Sequence, residues 1–430
     1  MHRMKKFFRN ASSIDDVEPP KKKKQRSYKK LKVGVLLLLT IIFASLVTVW
    51  WYAEEPLESP ISSLTSFSFL RSPTTSPKNK KVIYGFLPYW NVTKVTIQPE
   101  LTHLSYFSLT IGADGSLITQ TDEGTEPGFS KLNSDDFLTL SNQIIAQNGN
   151  VELVLTQFNA DDISSFLNNP SAQEKFLTSL DSVLLAYPFT GVNIDVELNG
   201  SPSPKMRDQF TTFMQTLRTH LNERYGNITL SVDMYASAVE GTNIWDISAL
   251  SNEVDYIVVM AYDFHRRQSS QAGPVAPLFG GKDVWDNDIN TYLQGFVELV
   301  PPEKVLLGIP FYGYEWQTTS RDAQSHTFPD TGATASYERV QELLKRKEEL
   351  KVEEGWNENA LSPYISYVED NEIFVVYYEN SRSISYKLDY VNQLDLGGIA
   401  IWALGYEGNS RELWEVINKK VSNPLSTSNN

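Results

Sequence analysis

The stretch Gly191-Val192-Asn193-Ile194-Asp195-Val196-Glu197 alternates apolar residues with acids and an amide. Period-two alternation belongs to a β-strand, where successive side chains point to opposite faces. Asn193, Asp195 and Glu197 then share one face, and Val192, Ile194 and Val196 share the other. Asp195 and Glu197 lie roughly 6–7 Å apart at Cα. A solvated outer strand would also alternate, but Leu184, Leu185 and Phe189 just upstream read as buried. Unpaired carboxylates are expensive inside a core. An apolar face backed by a carboxylate face therefore fits a barrel strand whose inner end opens into a catalytic cleft.

Working outward, short β-branched or aromatic runs recur at Val82–Phe86, His103–Leu109, Val151–Gln157, Gly191–Glu197, Thr229–Asp233, Tyr256–Tyr262, Val305–Ile309 and Gly398–Trp402. Helical patterns fall between most of them, at Phe137–Ala146, Ala172–Ala186, Pro204–Arg224, Asn287–Leu299 and Ser381–Gln393. Eight strands alternating with helices predict an α/β fold, the (β/α)8 TIM barrel, over residues 81–420. Residues 312–378 exceed what one connection needs. They contain a helical run, Ala335–Glu349, and two strand-like runs, Tyr364–Val368 and Ile373–Tyr378, and so predict an α+β insertion between strands 7 and 8. A doubly wound open sheet is the alternative, but no Gly-rich phosphate loop follows the first strand.

Chemistry in such a barrel sits at the C-terminal ends of the strands. Those ends carry Tyr89 and Trp90 (first), Gln157 (third), Asp195 and Glu197 (fourth), Met260, Tyr262 and Asp263 (sixth) and Trp402 (eighth). Acids, tyrosines and tryptophans without a basic cluster describe a sugar site, because aromatic rings stack on the C–H faces of pyranoses while carboxyl groups handle hydroxyls and glycosidic oxygens. No cofactor is indicated. The chain has no cysteine, and its five histidines show no metal-ligand spacing, so no metal is expected. A packing role suits His103, whereas His265 and Arg266 follow the sixth strand toward the cleft.

The net charge of −14 is divided unevenly, because residues 1–32 hold twelve Lys/Arg against three acids. The remainder is more acidic still, which argues against nucleic acid as a partner. Residues 33–52, VGVLLLLTIIFASLVTVWWY, contain no charge. Twenty residues at 1.5 Å each cross roughly 30 Å of hydrocarbon. The lysine-rich run precedes this segment and Trp50, Trp51 and Tyr52 close it, predicting one N-terminal transmembrane helix. Residues 1–32 would be cytoplasmic and the barrel outside the cell, held by an uncleaved signal-anchor with no small-residue cleavage site after it. Residues 53–80, rich in Ser and Pro, read as a linker, and 421–430 as a frayed tail.

Several of these segments together resemble glycoside hydrolase family 18, the chitinase-like barrels. GVNIDVE resembles the fourth-strand acid signature, MAYDFH the sixth-strand motif, GIPFYGYEW the seventh, GGIAIW the eighth and LTHLSYFSL the second. The resemblance implies a hydrolase of N-acetylglucosamine-containing polysaccharides or oligosaccharides, acting by substrate assistance with net retention. Glu197 would be the acid and base. Asp195 would orient the 2-acetamido group and oppose ionisation of Glu197. Tyr262 would donate to the acetamido oxygen, Asp263 and Met260 would help hold the reacting sugar, and Trp402 would form its floor. Trp90, Tyr89 and Gln157 would extend the binding surface.

Asn193 departs from that pattern. The best-known chitinases carry a third carboxylate there, whereas Asn193 can only hydrogen-bond, with Asp195 as its expected partner. Together with MAYD and GGIAIWALGYE, it resembles the bacterial branch acting on peptidoglycan, including spore-cortex-lytic N-acetylglucosaminidases. No wall-binding LysM repeat is visible, a role the anchor could fill. Members of this fold that lost the acid became glycan-binding lectins, the alternative reading, and Glu197 argues against it.

Overall fold

The structure is a computed structural model and describes residues 80–422. The basic segment, the proposed transmembrane helix at 33–52 and nearly all of the linker lie outside them. Among the described residues, no helix is long and apolar enough to cross a membrane.

Seven parallel strands come first: β1 (Val82–Pro88), β2 (His103–Thr110), β3 (Asn150–Gln157), β4 (Gly191–Val196), β5 (Thr229–Tyr235), β6 (Tyr256–Met260) and β7 (Val305–Pro310). The insertion follows with β8 (Tyr312–Thr318), β9 (Ala333–Ser336), β10 (Glu353–Asn357), β11 (Ser362–Glu369) and β12 (Glu372–Tyr377), before the eighth barrel strand, β13 (Gly398–Trp402). The barrel closes in the order β1-β13-β7-β6-β5-β4-β3-β2. All its neighbours are parallel, as strands joined by crossover helices must be.

The helices show why the chain wraps this way. Helix Pro204–Tyr225 starts where Ser203 accepts the Met206 N–H, with Pro204 at the first position. Phe210, Phe213, Met214, Leu217 and Leu221 recur every three or four residues and are buried. Phe213 packs edge-on against Phe166 and Phe176 at centroid distances of 5.0 and 5.3 Å. Helix Pro170–Ala186 likewise buries Phe176, Leu180, Val183 and Leu184. The expectation that Leu185 is buried was wrong. It is 71% exposed, because one residue turns a helix by about 100° and takes it off the face carrying Leu184.

The two faces of β4 are both buried, the valines and Ile194 outward against helices, and Asn193 and Asp195 inward. The barrel interior is part apolar, with Phe86, Val154, Val258, Leu306 and Ala400 clustered about Tyr84, and part polar. The Tyr84 hydroxyl hydrogen-bonds Ser105 Oγ (2.7 Å) and donates to Glu152 Oε2 (2.7 Å), which also accepts from Ser231 Oγ (3.0 Å). A Cβ on Gly191 would lie 2.5 Å from Glu152 Cγ, so the first residue of the acidic motif makes room for this carboxyl.

Between β7 and β13 the insertion forms an antiparallel sheet in the order β9-β8-β12-β11-β10, with helices Tyr337–Lys345 and Lys347–Leu350. A final turn, Asn418–Ser422, runs two residues into the stretch read as tail, and Val421 is buried there. Its apolar side chain has core to bury against, which a Ser/Asn-rich reading of the tail overlooks.

Candidate active site

The acidic motif reaches the C-terminal mouth of the barrel. Glu197 lies one residue past β4 yet still donates its backbone N–H to the Gln157 carbonyl at 3.1 Å, so the alternation of faces continues through it. Asp195 is 3% exposed below it. The sixth strand ends at Met260, earlier than the expected Tyr262. There the chain bends, with Ala261 N–H bonded to the Val259 carbonyl, and Asp263 takes φ +63°. Tyr262 and Asp263 therefore leave the ladder and line the mouth. Gly308 on β7 permits this: a Cβ there would sit 2.5 Å from the Val259 oxygen and 3.0 Å from the Tyr262 ring.

A cleft of about 480 Å³ opens at this end, lined by Tyr235, Met260, Tyr262, Asp263, Arg266 and Trp285 among others. Beside it runs a chain of aromatic rings. Trp402 packs edge-on to Phe107 at 4.7 Å, and Phe107 edge-on to Trp90 at 6.2 Å. Trp90 also meets Tyr89 at 4.9 Å and is 44% exposed.

Two residues read as glycan contacts stand elsewhere. Gln157 is buried, its amide donating to the Ile111 carbonyl and its oxygen accepting the Asn159 N–H, so it shapes the exit of β3. Asn193 is wholly buried beneath the site. Its amide donates to Asp233 Oδ1 (2.7 Å) and Ser231 Oγ (3.0 Å) across the seam to β5, in place of the expected bond to Asp195. Packing holds His103 as expected: it is buried, stacks on Tyr84 at 5.6 Å and accepts from the Asn150 amide at 2.9 Å. Burial pushes its pKa down to about 4, so the ring is neutral.

The electrostatics favour protonated carboxyls. Burial, above all, raises the pKa of Glu197; the Tyr235 hydroxyl and the Arg266 guanidinium pull it down, and Asp263 pushes it up. Burial, more than a neighbouring Asp195 charge, is thus the main cause. Asp195 itself is held well above the carboxylate range by burial, then by Asp233 and Glu197. Tyr262 is also pushed far up by burial and by Asp233, Asp195, Asp263 and Glu197, which keeps its hydroxyl a donor.

Asp233, Tyr235 and Glu152 went unnoticed in the sequence, although TLSVDMY places Ser231, Asp233 and Tyr235 on one face by the same period-two rule that singles out the fourth strand. Among the described residues, no cluster of His, Asp or Glu has metal-site geometry.

Known proteins carry the same architecture. The Group IV chitinase of Ostrinia furnacalis superimposes with a TM-score of 0.68 at 22% identity, covering 80% of this chain and 100% of that one. The spore cortex-lytic enzyme of Bacillus cereus gives 0.61 at 23%, covering 80% and 75%. In sequence, the cortical fragment-lytic enzyme of Bacillus anthracis is 27% identical over 350 residues, 80% of this chain and 72% of that protein. The family model for glycosyl hydrolases family 18 matches residues 74–407, from ahead of β1 to beyond β13. A match that takes in every barrel strand, on a barrel whose fourth strand delivers Glu197 to its mouth, makes the chain a glycoside hydrolase: it belongs to glycosyl hydrolases family 18.

Proposed function

We propose that this hydrolase cleaves β-1,4 bonds of N-acetylglucosamine-containing glycans by a retaining, substrate-assisted mechanism, and that its natural substrate is peptidoglycan. The observation that carries the chemistry is the environment of Glu197. It is a half-buried carboxyl just past the strand end, its pKa raised by burial and its hydrogen-bond partner Tyr235 lining the cleft, as suits a general acid. It protonates the leaving oxygen while the 2-acetamido carbonyl of the substrate attacks the anomeric carbon. Asp195 accepts the acetamido N–H and aligns that carbonyl. Tyr262 donates to its oxygen. Glu197, now ionised, takes a proton from the water that opens the cyclic intermediate, restoring the original anomer. Trp402 supplies an apolar floor, and Trp90 a platform for a neighbouring sugar.

The peptidoglycan assignment draws on the cortical fragment-lytic relative and on Asn193 in the acidic motif. The apolar run 33–52, with its basic flank, suits an anchor that holds the barrel outside the cell beside the wall. The test is digestion of purified peptidoglycan and of chitin oligomers by the detergent-solubilised full chain, with products read by mass spectrometry and their anomeric form by NMR. Release from peptidoglycan with retention is expected. Release from chitin alone would remove the wall assignment, and inverted products would remove the mechanism.

A further inference from the structure

The interior of the barrel holds a second aspartate beside Asp195. Ile194 on β4 pairs with Val232 on β5, so Asp195 and Asp233 are the next residues along the same register. Both point inward, with exposures of 3% and 2%. Asp233 Oδ1 accepts the Asn193 amide at 2.7 Å, while Asp195 Oδ1 and Asn193 Oδ1 are buried without a hydrogen-bond partner. The groups facing Asp233 are Asn193, Asp195 and Glu197 on or just past β4, Glu152 on β3, Tyr84 on β1 and Tyr262 beyond β6, none of them cationic.

We propose that Asp233 is a positioning residue for the hydrolysis, sharing one proton with Asp195 across the β4–β5 seam and fixed in place by Asn193. Two adjacent buried carboxylates without a cation cannot both ionise. When Asp233 holds the proton, Asp195 is the anion that accepts the acetamido N–H. Asp233 touches no substrate. Burial and the neighbouring acids hold both groups well above the carboxylate range, in keeping with a retained proton. The proposal rests on the assignment of Asp195 to the acetamido group.

The geometry supplies its own control. Because Asn193 and Asp233 are hydrogen-bonded, exchanging amide and carboxyl (Asn193→Asp with Asp233→Asn) keeps the pair and moves the acid to β4. In the full chain, Asp233→Asn should lower kcat roughly 100-fold with KM changed only a few-fold. It should also remove one ionisation from the alkaline limb of the pH profile. The exchange should recover at least about a tenth of wild-type kcat and restore that ionisation. An Asp233→Asn protein with wild-type kcat and profile would overturn the proposal, as would an exchanged protein that folds yet is no better than the single variant. Carbon-13 NMR of wild-type protein labelled at aspartate carboxyls decides the matter without substitution or turnover. One aspartate should remain protonated near neutral pH, and a spectrum with every aspartate ionised would refute the shared proton. If the wild type hydrolysed no glycan at all, the proposed function would fail while this spectrum still judged the pair.

Discussion

Tyr314 donates its hydroxyl to Asp263 Oδ1 at 2.8 Å, joining the first strand of the insertion to the chain leaving β6, 51 residues earlier. Tyr312 donates to the same oxygen. Asp263, read from the sequence as a sugar ligand, is thus also the point where the insertion is tied to the barrel mouth.

Removing that acceptor leaves two tyrosine hydroxyls, mostly enclosed, without their partner. Asp263→Ala should cost about 2–4 kcal/mol, part of it from forcing alanine to φ +63°. Asp263→Asn keeps an acceptor and tolerates a left-handed backbone, so it should lose about 1 kcal/mol or less. Urea unfolding of the two variants measures the difference, and equal losses would show that the tyrosine contacts contribute little.

Glu197 must be protonated to act as acid, so activity should persist above the ordinary carboxylate pKa of 4.5 and fall as pH rises through the raised value. Glu197→Gln should reduce kcat by about 10²–10⁴-fold while glycan binding survives. Tyr235 hydrogen-bonds Glu197 and favours its ionised form. Tyr235→Phe should therefore move the alkaline limb of kcat/KM to higher pH. A limb that stays in place or moves down would mean that another group sets it.

Periodicity was enough to locate every barrel strand, because each has to alternate or run apolar over five to eight residues to be buried between helices and barrel interior. It was less good at ends. β4 stops at Val196, although Glu197 still bonds the Gln157 carbonyl, and β6 stops at Met260, where a bend takes Tyr262 and Asp263 off the ladder. The motif around Glu197 was legible because its acids share one strand. Asp233 was not, because its meaning lies in a register between strands, 38 residues from Asp195 in sequence. The two tyrosines on Asp263 were hidden for the same reason: hydrogen bonds over 49 and 51 residues leave no local pattern.

Glu152 offers a separate test through stability. It is wholly buried, and burial, offset in part by hydrogen bonds from Tyr84 and Ser231, pushes its pKa from 4.5 up to about 7. Below about pH 4.5 it is protonated both folded and unfolded, and its burial carries no charge penalty. Between about pH 4.5 and 7 the unfolded chain ionises while the folded chain keeps its proton, and above about 7 the folded chain too must hold a charge in the barrel interior. Stability is therefore lost across this window, by on the order of 3 kcal/mol for this group. Glu152→Gln keeps an oxygen for the two hydroxyls but cannot ionise. Between about pH 4.5 and 8, its unfolding free energy in urea should fall less than that of the wild type by that amount. The other buried acids contribute to both proteins, so the difference reports Glu152 itself. Parallel pH dependences would mean that water reaching the Glu152 carboxyl relieves the charge, since His103 beside it is neutral over this range.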